Sequence, residues 1–130
     1  MEKEYDYKSK IFFSELGDFK LIGKNCAKRA IEKLNSRKIK TCKTDVLFDS
    51  RVSPSLISNL ALAANASLVS KGTSFLKNKI GTKIFNSSIN IVDNPLMKKN
   101  LKSKIMDFEG IKSEKKFLVK DGVLNFFFNN

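Results

Sequence analysis

The chain has 130 residues, 42% of them hydrophobic, which suffices for one average domain with a buried core and argues against wholesale disorder. Histidine is absent, which excludes an imidazole general base, a Ser-His or Cys-His nucleophile pair and a histidine metal ligand. The net charge of +12 invites a nucleic-acid interpretation, and the two cysteines are too few for a four-ligand zinc site. We therefore predict a single domain over residues 1–130 with no cofactor and with two reduced thiols, Cys26 and Cys42.

The N-terminal part is predicted to be mainly helical. KIFFSEL, residues 10–16, is either a short strand or a helical turn. Apolar and small side chains then recur at spacings of three and four, which predicts a helix from about Leu21 to Leu34 that ends near Asn35. This stripe consists of Ile22, Cys26, Ala27, Ala30, Ile31 and Leu34. A basic loop, SRKIKTCKT, follows the helix.

A strand and a long buried helix are expected in the middle of the chain. DVLFD, residues 45–49, is apolar at its centre and suits a strand. The next helix is predicted from about Pro54 to Lys71, with Ser53 as its N-cap and Gly72 as its C-terminal cap. Its Ser and Asn side chains disfavour a membrane span, so a helix packed closely against its neighbours is the preferred interpretation.

The C-terminal part is predicted to contain most of the β structure. TSFLKNKIGTKIF is a link, and SSINIVD reads as a strand, with Ile89 and Ile91 on one face, that ends in the turn from Asp93 to Pro95. PLMKKNLKSKIMDFEG is mostly loop. KKFLV and VLNFFF flank Lys120-Asp121-Gly122, which predicts a β-hairpin with a positive φ at the glycine. The mixed order of helices and strands predicts an α+β fold.

Positive charge is densest between Lys24 and Lys43, a segment that contains many basic residues and only one acidic residue, Glu32. The candidate phosphate-binding residues of this basic patch are Lys24, Lys28, Arg29, Arg37, Lys38 and Lys40. Lysine dominates over arginine, whereas base-edge recognition favours arginine. A solvated surface is therefore preferred, and nucleic-acid binding would be weak and non-specific at most.

Two short motifs carry little specific chemistry. IGTK, residues 80–83, lacks the glycine and lysine spacing of a phosphate-binding loop. Asp107 and Glu109 could together bind a cation or simply cap a turn before Gly110, and the turn is favoured.

Short motifs from Tyr5 to the end of the chain form an ordered series. In chain order they are YDYKS, IGKNCAKRAIEKLNSRKIKT, DVLFDSRVSPSLI, SKGTSFLKNKIG, INIVDNPL, KIMDFEG and FLVKDGVL. The series resembles the PmbA/TldD family, which is named after modulators of DNA gyrase. The residues that match family motifs are expected to be structural or to lie in an interface; they are Lys71, Gly72, Thr73, Ser74, Asp93, Asp107, Glu109 and Gly110.

The resemblance implies the central region of a PmbA/TldD-like protein, with the N-terminal and C-terminal portions absent. In the TldD branch, the helix similar to ISNLALAA, residues 57–64, carries the zinc motif HExxxH. This chain has no histidine, and no glutamate lies between Glu32 and Glu109. The departure favours the PmbA (TldE) branch, in which the subunit is non-catalytic and holds no metal.

The function that this resemblance implies is that of a fragment of the non-catalytic subunit in a cytoplasmic TldD/TldE-type zinc metallopeptidase. Such a pair trims leader peptides and degrades small unfolded proteins, and the expected partner is a TldD-like catalytic subunit. The alternatives are a basic module that binds nucleic acid or gyrase, and a decayed gene fragment without function. The alanine-rich helix and the run Phe126–Phe128 would be uncovered, which predicts association into a homo-oligomer.

Overall fold

The computed structural model describes residues 2–129 and combines helices with one antiparallel sheet. The helical elements are a 3-10 turn, Phe13–Glu15, and three α-helices, α1 (Phe19–Glu32), α2 (Ser53–Ala63) and α3 (Ala66–Ser70). The strands are β1 (Ile91–Asp93), β2 (Lys116–Lys120) and β3 (Val123–Leu124), in the order β1-β2-β3. This content confirms the predicted α+β fold.

Backbone proximity divides the described residues into two units. The N-terminal unit comprises the chain up to Thr44 together with Met97–Ser103. The C-terminal unit comprises Asp45–Leu96 together with the chain from Lys104 onward. The single domain over residues 1–130 stays a prediction.

The N-terminal unit contains α1, and its helix confirms the expectation to within two residues at each end. The helix begins after Asp18, whose carboxylate accepts a hydrogen bond of 2.9 Å from the Lys20 N–H and so caps the first turn. Ile22, Cys26 and Ala30 form a half-buried stripe, as their spacing predicts. The KIFFSEL segment forms a helical turn rather than a strand.

Three members of the predicted stripe are exposed to solvent. Ala27 is exposed on α1, and the side chains of Ile31 and Leu34 are exposed at 66% and 52%. The apolar face of α1 is therefore narrower at its C-terminal end than the spacing of small residues indicates.

The prediction of one long helix from Pro54 to Lys71 is wrong, because the structure has two shorter helices, α2 and α3. The break lies at Asn65, whose side-chain oxygen accepts hydrogen bonds from the N–H groups of Ser67 and Leu68. Asn65 thereby provides the N-cap of α3.

The backbone of Phe128 satisfies the groups that this break exposes. The Ala66 N–H donates to the Phe128 carbonyl, and the Phe128 N–H donates to the Ala64 carbonyl, each at 2.8 Å. These two bonds form an isolated parallel bridge between Asn65 and Phe128. A pairing over so long a sequence separation leaves no local signal, which explains why the sequence suggests one continuous helix.

The two ends of this helical region agree with the sequence to different degrees. Ser53 was expected as the N-cap but is the first helical residue, and Val52 occupies the cap without a side-chain bond. At the other end, Gly72 has a φ of +75° and confirms the predicted cap. The Thr73 N–H bonds to the Leu68 carbonyl and the Gly72 N–H to the Val69 carbonyl, the pattern of a Schellman motif.

Two further expectations for this region are wrong. Residues 45–49, DVLFD, form no strand, and the side chain of Leu47 is 99% exposed, because no neighbouring strand pairs with this segment. The α2 helix is not buried, since Leu60 is its only buried residue while Leu56, Ile57 and Leu62 are exposed.

The predicted hairpin is confirmed in its position and its turn. Lys120 pairs with Val123, so Asp121 and Gly122 form a two-residue loop with φ values of +51° and +79°. Positive φ at both positions is the signature of a type I′ turn, whose twist matches that of the paired strands. The strand predicted over SSINIVD is shorter than expected, since only Ile91–Asp93 pair with β2 and Ile89 lies outside the strand.

The core of the C-terminal unit joins α2 and the segment around Leu76 to the hairpin. Its buried residues are Leu60, Ala64, Leu76, Leu118, Val119 and Leu124. The side chains of Phe126–Phe128 are half-buried and pack against this cluster. The expectation that this phenylalanine run is uncovered is therefore wrong, because the segment after β3 folds back onto the helix break.

Two simpler expectations concern the membrane and the thiols. No helix within residues 2–129 is long and apolar enough to cross a lipid bilayer. Cys26 and Cys42 are both free thiols, and the Cys26 Sγ donates to the Glu4 carbonyl at 3.2 Å.

Gly122 provides a sharp test of this packing. A Cβ atom at this position would lie 2.3 Å from the Phe85 carbonyl oxygen and 2.8 Å from that of Asn86. Gly122→Ala is expected to lower the free energy of unfolding of the C-terminal unit by about 2–5 kcal/mol, since it combines a left-handed φ with a backbone clash. Urea unfolding followed by circular dichroism measures the change.

Gly81→Ala is the matched control, because Gly81 has a φ of +75° but no atom would lie within 4 Å of an added Cβ. In this variant the free energy of unfolding should fall only by the cost of a left-handed φ at alanine, about 1–2 kcal/mol. Equal losses in the two variants would contradict the close approach at Gly122.

Candidate functional site

The Lys71–Ser74 motif is a structural connection between the helices and the link that follows. The Ser74 hydroxyl donates to the Ala63 carbonyl at 2.6 Å and accepts from the Leu76 N–H at 3.1 Å. The Thr73 hydroxyl donates to the Leu68 carbonyl at 3.0 Å. Lys71 is exposed at the C-cap of α3. The hydroxyl groups and the glycine thus hold the chain reversal, while the lysine stays in the solvent.

The link after the motif, residues 75–85, is a series of turns attached to β3. The Gly81 N–H donates to the Leu124 carbonyl at 2.8 Å, and the Leu124 N–H donates to the Thr82 carbonyl at 3.1 Å. The N–H groups of Ile84 and Phe85 both donate to the Gly122 carbonyl. These bonds hold the link against the hairpin and direct part of its side chains toward α2.

An open apolar groove of about 610 Å³ lies between α2 and the link. The helix contributes Leu56, Asn59 and Leu60, which spacings of three and four place on one face. The link contributes Phe75, Leu76, Lys79, Lys83, Ile84 and Phe85. No acidic side chain is among these lining residues. A groove of this size, apolar with a few polar groups, is typical of a ligand site.

The sequence did not identify this groove. None of its lining residues is among the candidate site residues named from the family motifs or in the basic patch, although Phe75, Leu76 and Lys79 lie within the motif SKGTSFLKNKIG. The alternation of apolar residues and lysines in FLKNKIGTKIF is the one signal that marks it. That signal is ambiguous until α2 and the link are placed opposite each other.

The other candidate site residues lie in separate places. Asp93 is half-buried at the end of β1, where it pairs in register with Lys116. The Asp107 carboxylate accepts hydrogen bonds from the N–H groups of Glu109 and Ile111, at 2.9 and 2.8 Å, in a tight loop with a φ of +81° at Gly110. This geometry confirms the turn interpretation of the Asp107–Glu109 pair.

The basic patch is less positive than the sequence indicates. Arg29 forms an ion pair of 3.2 Å with Asp6, and Lys33 pairs with Glu4. Lys28 lies 3.8 Å from Glu32 on the same helix. Glu4 and Asp6, from the N-terminal segment, therefore add to Glu32, which lies on the helix itself. Lys24 and three residues of the basic loop, Arg37, Lys38 and Lys40, are exposed.

The chemistry of the donors does not fit a catalytic zinc. Within the described part of the chain, no three or more His, Cys, Asp or Glu side chains come together in a way that could hold a metal ion. ISNLALAA, residues 57–64, lies on α2 and its C-cap. Its polar side chains are those of Ser58 and Asn59, which are poor zinc ligands and cannot act as a general base.

Comparison with known proteins places this chain among peptidase relatives. Residues 41–130 match the family model of the PmbA/TldA metallopeptidase C-terminal domain. A metalloprotease PmbA homolog of Buchnera aphidicola is 36% identical over 124 residues, and the metalloprotease PmbA of Escherichia coli O157:H7 is 32% identical over the same length. Each match covers 95% of this chain and 28% of the relative, so the chain spans well under a third of these proteins.

Two solved structures share the fold. A proposed modulator of DNA gyrase from Bacteroides thetaiotaomicron has a TM-score of 0.89 and 30% identity, over 96% of this chain and 28% of that one. A second protein with the same proposed role, from Thermotoga maritima, has a TM-score of 0.82 and 33% identity, over 89% and 27%. The sequence resemblance suggested the central region of such proteins, whereas the matched model describes their C-terminal domain.

Ser74 tests whether the motif is structural. Ser74→Ala leaves the buried Leu76 N–H and the Ala63 carbonyl without their partner, which should lower the free energy of unfolding by about 1–3 kcal/mol. Ser70→Ala is the matched control, because Ser70 is exposed and its hydroxyl bonds only within its own helix. The control should change stability by less than about 0.5 kcal/mol. Urea unfolding that shows no difference between the two variants would contradict the structural role.

Proposed function

Since the chain belongs to the PmbA/TldA metallopeptidase family, we propose that it acts as part of the non-catalytic subunit of a two-subunit zinc peptidase. In this proposal a TldD-like partner supplies the metal and the general base. The complex works in the cytoplasm on leader peptides and small unfolded proteins. The family membership and the chain's own donor chemistry are the two premises.

The absence of histidine carries the proposal. A zinc peptidase needs imidazole or carboxylate ligands and a base that polarises the attacking water. The resemblance places HExxxH at residues 57–64 on α2. Here the chain has residues such as Ile57, Ser58 and Leu62, none of which can bind zinc well or act as the general base. The same helix instead lines the apolar groove through Leu56 and Leu60. These residues support a role in holding a peptide or a partner rather than in cutting.

The second candidate is a basic module that binds nucleic acid or gyrase. It is favoured by the two solved relatives that are described as proposed modulators of DNA gyrase. The ion pairs of Arg29 and Lys28 weigh against it, because they neutralise part of the basic patch. Binding of this kind would weaken steeply with salt and would depend on Arg37, Lys38 and Lys40. A decayed gene product, the third possibility, requires that no protein accumulates in the source cell.

Co-expression with a TldD-like chain from the same organism tests the proposal. The tagged chain is expected to retain the partner during affinity purification and size-exclusion chromatography. The purified complex should cleave an unfolded protein such as casein, and a chelator should abolish cleavage. The chain alone should show no hydrolysis, because no three metal-binding side chains come together within residues 2–129.

The matched control replaces the glutamate of the partner's HExxxH motif by glutamine. That complex should still form but should lose activity by about a hundredfold or more, since the general base is gone. Chelator-sensitive hydrolysis by this chain alone, or a failure to retain the partner, would contradict the proposal.

A further inference from the structure

We propose that the apolar groove binds an acidic, apolar peptide segment, with its large apolar side chains between α2 and the link and its side-chain carboxylates at Lys79 and Lys83. This inference rests on the proposed function, because it names the class of peptide that such a subunit holds.

The walls of the groove present apolar surface that nothing in the described chain covers. Phe75 is 73% exposed, Leu56 46% and Phe85 39%. Side chains this large are normally buried, and their burial by a ligand removes apolar area from water. Leu60 and Leu76, by contrast, belong to the core and form a fixed floor. The groove thus has a buried base, formed by core residues, and exposed apolar sides.

The polar groups of the groove select for negative charge. Lys79 and Lys83 line it, and within residues 2–129 neither forms an ion pair. The Lys83 ammonium donates to the hydroxyl of Ser87, just after the link, at 3.1 Å, and this bond orients the Lys83 side chain. With no acid in the lining, a carboxylate from a ligand has two cationic partners beside an apolar surface.

Net charge distinguishes an acidic peptide from a second copy of this chain. Each copy carries +12, so two copies repel each other, whereas an acidic segment is attracted from a distance. Nucleic acid shares the negative charge, and a base could stack on Phe75. The aliphatic lining of Leu56, Leu60, Leu76 and Ile84, however, matches leucine or phenylalanine side chains better than a hydrated phosphate backbone.

Fluorescence anisotropy with the full 130-residue chain tests the assignment. The probe is a short fluorescein-labelled peptide in which glutamates flank leucine and phenylalanine residues. Acetylated and amidated ends leave the side-chain carboxylates as its only negative peptide groups. Two comparison peptides carry glutamine in place of glutamate, or serine in place of the apolar residues. Binding is expected for the acidic, apolar peptide and should be weakened about tenfold or more for each of the other two.

Variants of the chain locate the binding to the groove. The double variant Lys79→Gln with Lys83→Gln should weaken binding about fivefold or more, and Phe75→Ala about tenfold. Phe75 is exposed, so its truncation leaves the core intact, which circular dichroism checks. The matched control is Lys112→Gln with Lys115→Gln, which removes the same charge from exposed positions outside the groove. It should change the affinity by less than about twofold.

Three results would overturn the assignment. The first is that the glutamine peptide binds as tightly as the acidic, apolar peptide. The second is that the groove and control double variants lose the same affinity. The third is that the chain forms a dimer that dissociates on Phe75→Asp and does not bind the peptide. Displacement of the peptide by a single-stranded oligonucleotide at lower concentration than by unlabelled peptide would favour nucleic acid instead.

The two proposals fail separately. Lost peptide binding with an intact TldD-like complex overturns the groove assignment alone. Peptide binding without a complex contradicts the proposed subunit role alone.

Discussion

The C-terminal unit depends on the backbone pairing between the helix break and Phe128. Ala64 is fully buried there, and its carbonyl and the Ala66 N–H exchange hydrogen bonds with one distant residue. A helix that breaks in the core would leave these groups unsatisfied, at a cost of about 1–3 kcal/mol each. The pairing removes that cost and fixes the chain after β3. It thereby brings the hairpin, through Leu118, Val119 and Leu124, onto α2.

The groove follows from this arrangement. With the hairpin held, its strand β3 and its turn at Gly122 bind the link through backbone hydrogen bonds, and the link then faces α2. Gly122 allows the carbonyl of Phe85 to approach more closely than any side chain would permit. The Ser74 hydroxyl joins the start of the link to the end of α2. The Lys71–Ser74 part of the motif SKGTSFLKNKIG therefore shapes the groove although its own side chains do not line it, whereas Phe75, Leu76 and Lys79 of the same motif do.

Elements with local signals were predicted well, and elements that depend on distant partners were not. The hairpin carries its own turn chemistry in Asp121 and Gly122, and α1 carries its cap at Asp18 and a periodic stripe. DVLFD has the composition of a strand but no strand beside it, so Leu47 lies in water. The break between α2 and α3 was not predicted because the backbone groups that it exposes are satisfied by Phe128, which is distant in the sequence. The charge of α1 was overestimated for the same reason, since Glu4 and Asp6 meet it only after folding.

The sequence by itself determined what chemistry this chain can supply. Folding cannot supply side chains that the sequence lacks, so the absence of histidine limits the metal chemistry of this chain whatever its fold. The order of short motifs likewise identified the family, because each motif is a contiguous string. Only the tertiary structure decided where a ligand could lie. The groove combines Leu56 with Phe75 and Phe85, and such a surface exists only once non-local hydrogen bonds and core packing have brought separate segments together.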